Sequence, residues 1–219
     1  MPYIQLNTNL SGVNLGLWQV EEEEIFFLTR LKLYENEWKR LSFISHPQKR
    51  LEWLSSRLCM KELLKISNTQ RVEALNLHNG RPYLSDNSYS ISFSHSNKYS
   101  AAIASRHSEV GIDIEYLLRK RNTETRFLFM NEAELDAFHA RQSTELFLLM
   151  WSAKETIYKI FGERGTSFKE HIHLDISNLD EKPNGMLPAV VQRDDLEKRY
   201  EIHYSISDEY LLTYTCDGL

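Results

Sequence analysis

Twice along this chain a helical segment precedes two short β-rich runs joined by a polar turn, and this repetition narrows the available folds more than any other feature. Residues 47–66 place Leu51, Leu54, Leu58 and then Leu63 or Leu64 at helical spacing, with Pro47 suited to a first turn. Residues 144–161 put Leu146, Leu149, Met150, Ala153, Ile157 and Ile160 on one face. Residues 89–105 and 201–216 each read as two alternating strands around a turn, and the turns correspond from Ser94 to Tyr99 and from Ser205 to Tyr210. Both helical segments also carry Lys-Glu followed by apolar residues and Lys-Ile. Chance supplies such pairs on helices; a duplication supplies them too, and would make two α+β halves meeting near residue 108.

Composition removes several classes. With 219 residues, 42% hydrophobic and 26% charged, the chain can bury a core as one large domain or two small ones. No apolar run approaches the roughly 18 to 20 residues a membrane span needs, and the start MPYIQLNTNLSG has no basic segment followed by a hydrophobic one. A cytoplasmic protein without membrane partners is expected. Cys59 and Cys216 sit in no metal or redox spacing and read as buried thiols. A net charge of −5 argues against general nucleic-acid binding, and no Walker-type loop is present. The basic stretches at Lys49, Arg50 and Arg57 and at Arg119, Lys120 and Arg121 suit either an anionic partner or a solvated surface.

Residues 109–115 alternate Val110, Ile112 and Ile114 with Gly111, Asp113 and Glu115, so a strand there turns both carboxylates to one side. Paired carboxylates repel unless a cation lies between them, which makes a hard-metal site or a charged strand edge in water the two readings. On the helix beginning at residue 144, Ser152, Glu155 and Lys159 form a polar stripe at i, i+3 and i+7. Alone, that stripe reads as a solvated helix face.

Together the two clusters spell a pattern. Gly111-Ile112-Asp113-Ile114-Glu115 followed by Trp151-Ser152-Ala153-Lys154-Glu155-Thr156-Ile157-Tyr158-Lys159 resembles the paired signature of the 4′-phosphopantetheinyl transferase superfamily, G-[IV]-D and then W-[ST]-x-K-E-x-x-x-K. Gly80-Arg81-Pro82, the run Ile91 to Ser96 with its Ser-His-Ser, and Arg126-Phe127 with Glu132 or Glu134 beyond it are similar to further segments of that family. The resemblance spans roughly residues 47–215. It points to the long, surfactin-synthetase-activating type, whose members contain two similar halves and work as monomers. The implied fold is α+β, with halves 1–108 and 109–219 related by a pseudo-twofold axis, each a small antiparallel sheet packed on a long helix.

The resemblance also implies an activity: transfer of phosphopantetheine from coenzyme A to a serine of an acyl or peptidyl carrier protein, releasing 3′,5′-adenosine bisphosphate. By the same resemblance Asp113, Glu115 and Glu155 hold Mg²⁺ against the coenzyme A pyrophosphate, and Lys159 reaches the same phosphates. Glu155 is the candidate general base, with a metal-bound water as the alternative. Ser94 and His95 would contact coenzyme A phosphate, the histidine near the 3′-phosphate, and Arg81 would meet the nucleotide side. Lys154, Arg57 and Arg50 are further candidate coenzyme A contacts, Lys154 pairing alternatively with a nearby carboxylate. Leu117, Leu118, Phe129 and Met130, beside the basic run, form either a carrier-docking face or core. The rival readings are a noncatalytic coenzyme A or carrier-binding module and a different Mg²⁺-dependent phosphoryl enzyme.

Overall fold

A computed structural model describes residues 3–119, 123–162, 165–177, 179 and 182–217. The chain is α+β with antiparallel sheets, and it divides between Val110 and Gly111 into two compact units. Among the described residues no helix is long and apolar enough to cross a membrane.

The first unit begins with strands β1 (Tyr3–Leu6) and β2 (Val13–Gln19) and continues through helices α1 (Glu24–Arg30), α2 (Glu35–Ser42) and α3 (Pro47–Leu64). It ends with the short pair β3 (Ala74–Asn76) and β4 (Pro82–Leu84) and the hairpin β5 (Ser90–Ser96) and β6 (Tyr99–Ser105). Its main sheet runs β1-β2-β6-β5, antiparallel throughout. Pro47 opens α3, where its missing N–H costs nothing, and Lys65 in the left-handed region closes it. Helix α3 lies against β2, β5 and β6, burying Leu54, Leu58, Met60 and Leu63. It can approach closely because β6 offers Ser100, Ala102 and Ala104 on one face, and the Ser55 and Ser100 hydroxyls meet at 2.6 Å.

The second unit is built from β7 (Val110–Tyr116), a 3₁₀ turn at Thr123–Thr125, and helices α4 (Arg126–Phe129), α5 (Glu132–Arg141), α6 (Thr144–Phe161) and α7 (Phe168–His171). Strands β8 (Ile172–Leu174), β9 (Asn184–Arg193), β10 (Leu196–Ile206) and β11 (Tyr210–Cys216) complete it. The sheet order is β7-β11-β10-β9-β8, so the last strand of the chain sits between the unit's first strand and its own hairpin partner. Ser143 caps α6 by accepting from Leu146 N at 3.2 Å, and Gly162 ends it at φ 71°, a conformation that costs glycine little. The six apolar residues expected on its inner face are all buried, packed with Ile172, Ile202 and Leu211.

Each unit therefore sets an 18-residue helix on an antiparallel sheet. Strand β7 is buried on both faces, with Asp113 at 5% exposure, so the reading of its acids as a water-facing edge does not hold.

Candidate functional site

The meeting of β7 with α6 depends on a missing side chain. A Cβ at Gly111 would lie 2.4 Å from Thr156 O and 3.1 Å from Ile160 Cβ, so only glycine lets the strand come this close to the helix. Two residues on, at the same strand face, Asp113 reaches α6. Ser152 Oγ donates to its Oδ2 at 2.8 Å, and Lys159 Nζ donates to its Oδ1 at 2.8 Å and to Ile112 O at 3.0 Å. Ser152, expected on a solvated stripe, is fully buried.

Behind Ser152 lies a set of hydroxyls from a different strand. Thr213 of β11 has its Oγ1 2.8 Å from Ser152 Oγ and 2.7 Å from Thr156 Oγ1, and it is 3.0 Å from Ser152 O. Ser152 and Thr156 stand one turn apart on α6, so a single inward-facing residue of β11 touches both.

Glu155 and Glu115 complete the acidic group. Burial pushes the Glu155 carboxyl above the usual carboxylate range; Lys159 opposes the shift, and the charges of Asp113 and Glu115 add to it. Among the described residues no hydrogen-bond donor is seen at the Glu155 carboxylate. The group thus combines hard oxygen donors with an excess of negative charge for which Lys159 is one counter-charge, and that chemistry fits a cation such as Mg²⁺. Among the described residues no three His, Cys, Asp or Glu side chains stand close enough together to form a metal cage, and a hard cation such as Mg²⁺ can be held by one or two carboxylates with water and phosphate completing its shell.

Lys154 does something other than meet coenzyme A. Its side chain is completely buried, and Nζ lies 2.6 Å from Glu134 Oε2, 2.9 Å from Phe129 O, and 2.8 Å from both Phe168 O and Ile172 O. An ammonium has three protons, so four acceptors leave none for a phosphate. Glu134 is equally buried; it accepts from Asn131 N at 2.9 Å in a capping box and from Leu174 N at 3.1 Å. Of the two carriers of the Arg-Phe segment's acid, Glu134 is therefore the structural one. The pair ties α6 to α4, α5, α7 and β8. Trp151 packs beside it against Phe129 and Phe168.

In the first unit, Arg57 and Arg50 are also corrected. The Arg57 guanidinium is buried over the Trp53 ring, 3.6 Å from its centroid, and donates to Trp53 O and Ala74 O. Burial pushes it down to about 9, with Glu37 opposing the shift. Arg50 grips Glu24 with Nε at 2.9 Å and Nη2 at 2.6 Å, while its Nη1 donates to Leu41 O and Ile44 O. Both guanidinium groups are paired within the first unit. Ser94 and His95 lie in β5, His95 more exposed, with its Nδ1 3.3 Å from Oε2 of the buried Glu52. Arg81 pairs with Glu109, which also accepts from Ser90.

Of the apolar residues after β7, Phe129 and Met130 are core, Leu117 is half-buried and Leu118 is exposed, as are Arg119, Phe127 and Leu128. Lys120 and Arg121 lie outside the described residues.

Residues 109–215 match the model of the 4′-phosphopantetheinyl transferase superfamily. The matched stretch takes in nearly all of the second unit, including Asp113, Glu115, Ser152, Glu155, Lys159 and Thr213, which makes that unit similar to transferases of this superfamily. No curated protein matches the chain. Spacing alone gave no sign of Thr213, since an isolated threonine in a β-strand is ordinary, nor of Glu52 opposite His95.

Proposed function

We propose that this chain transfers the 4′-phosphopantetheine arm of coenzyme A to the serine hydroxyl of an apo acyl or peptidyl carrier protein, with Mg²⁺, releasing 3′,5′-adenosine bisphosphate. The observation that carries this reading is the convergence of Asp113 and Glu115 from β7 with Glu155 and Lys159 from α6, inside the stretch that matches the superfamily.

In the reaction the serine oxygen forms a bond to the coenzyme A phosphorus that bears the pantetheine arm, and the bond from that phosphorus to the bridging oxygen breaks. Asp113, Glu115 and Glu155 would hold Mg²⁺, which when bound supplies positive charge against the pyrophosphate and the leaving group. Glu155 takes the serine proton. Burial raises this carboxyl above the usual carboxylate range, which makes it a stronger base than an exposed glutamate. Lys159, anchored by Asp113 and Ile112 O, presents its ammonium to the phosphates. From the first unit, Ser94, His95 and Arg81 are the proposed contacts to coenzyme A, with His95 at the 3′-phosphate.

The finer reading is the long, two-halved, surfactin-synthetase-activating type acting as a monomer. Its support is that each unit, taken by itself, places one long helix on an antiparallel sheet. The carrier would dock at exposed Leu118, Phe127 and Leu128 with Arg119 beside them, since acidic carriers favour a basic, partly apolar face.

Incubating the protein with coenzyme A, Mg²⁺ and a panel of apo carriers, then weighing the carriers, tests the reading. A gain of one phosphopantetheine that is lost in Asp113→Ala is the expected result. Binding of coenzyme A and carrier with no mass gain anywhere in the panel would instead mark a noncatalytic binding module.

A further inference from the structure

Ser152, Thr156 and Thr213 meet in the buried layer between α6 and β11, all three fully inaccessible to solvent, in the unit whose core includes Leu149, Ala153, Ile157 and Leu211. Valine matches threonine in shape, so packing alone gives no reason for hydroxyls at 156 and 213, and a buried hydroxyl without a partner is costly. Their partners define a direction. Ser152 spends its one proton on Asp113 Oδ2, so its oxygen can only accept from Thr213; Thr213 has one proton for Ser152, at Oγ or at the carbonyl 3.0 Å away. Thr156 is then the donor to Thr213, at Oγ1 2.7 Å away or at the carbonyl 3.3 Å away. With the Thr213 proton on Ser152 Oγ, the chain of hydroxyls runs Thr156, Thr213, Ser152, Asp113 and ends on a carboxylate oxygen.

We infer that Thr213 is a positioning residue for the acidic site: from strand β11, through Ser152, it fixes the rotation of the Asp113 carboxylate that Lys159 holds from the other side. The inference rests on the proposed transferase reading, in which Asp113 is a metal ligand. Lys159 on Oδ1 and Ser152 on Oδ2 set the carboxylate plane between them. Thr213 orients the Ser152 hydroxyl, whose rotor is otherwise free to turn toward a backbone carbonyl of its own helix. Partners that orient a metal ligand without touching the metal commonly change metal affinity by about 10- to 100-fold when removed.

The test measures Mn²⁺ binding by loss of the free-ion electron paramagnetic resonance signal, without coenzyme A or carrier, alongside thermal melting and the Mg²⁺ dependence of carrier modification. Thr213→Val should bind Mn²⁺ about 10-fold or more weakly and need correspondingly more Mg²⁺ for half-maximal transfer, while Thr213→Ser, which restores the hydroxyl, should recover both. If Thr213→Val does not fold, the comparison rests on Ser152→Ala and Thr156→Val, for which weaker binding is expected in that order. Parent-like Mn²⁺ affinity in a folded Thr213→Val overturns the positioning role, as does equal weakening in Thr213→Ser, which would make the effect one of packing. A parent protein that modifies no carrier and binds no Mn²⁺ overturns the transferase reading itself and this inference with it.

Discussion

Replacing Lys154 by methionine separates a structural lysine from a phosphate-binding one. Methionine keeps most of the apolar stem but deletes the ammonium, leaving the Glu134 carboxylate inaccessible to solvent with two backbone donors, and leaving Phe129 O, Phe168 O and Ile172 O without their common donor. The burial that disfavours the Lys154 ammonium is opposed first by the charge of Glu134, so the two ions depend on each other. Removing one partner of such a pair costs about 3–5 kcal/mol. For a chain of 219 residues that lowers the melting temperature by about 6–20 °C, at roughly 2–4 °C per kcal/mol. Differential scanning calorimetry reads the stability, and titration calorimetry with coenzyme A, well below the melting point, reads the ligand. A large loss of stability with coenzyme A affinity little changed is the expected outcome. A variant that melts within about 2 °C of the parent, a deficit under roughly 1 kcal/mol, would refute the structural role. Normal melting with lost coenzyme A affinity would return Lys154 to the phosphates.

Two further outcomes follow from the same site. Burial and the neighbouring carboxylates raise the Glu155 carboxyl, so on raising the pH the unfolded chain ionises first and stability is lost above the unfolded carboxylate range. Glu155→Gln should therefore melt higher than the parent at neutral pH in the absence of metal, with the difference vanishing as the pH falls below about 4; a variant less stable at pH 7 would contradict the charge argument. Gly111→Ala drives a Cβ into Thr156 O, and the forced separation of β7 from α6 should cost about 1–3 kcal/mol and weaken Mn²⁺ binding as Asp113 draws back from Ser152 and Lys159. Unchanged melting would show that the strand has room to spare.

Much of the second unit could be read from periodicity. The α6 pattern gave both its bounds and its inner face, because an apolar stripe against a sheet is a local property of spacing. The hairpins were legible for the same reason, since alternation and a polar turn are short-range signals. Burial of β7 on both faces was not, because an alternating strand carries no record of what covers its second face. Three basic residues were left open between readings for a related reason. Lys154, Arg57 and Arg50 have the charge that a phosphate needs, and only their burial and their carboxylate and carbonyl partners show that this charge is spent inside the protein.

By itself the sequence determined which polar residues share a face in the second unit: Asp113 and Glu115 two apart on one strand face, and Glu155 and Lys159 one turn apart on one helix, each a consequence of the fixed periods of backbone structure. Which of the unit's polar residues come together across elements was decided only in three dimensions. Asp113, Ser152 and Thr213 are separated by 39 and then 61 positions, and they meet because β11 closes the sheet beside β7 and the bare Gly111 lets the helix down onto both. Contacts at that separation depend on packing between elements, and no local pattern encodes them.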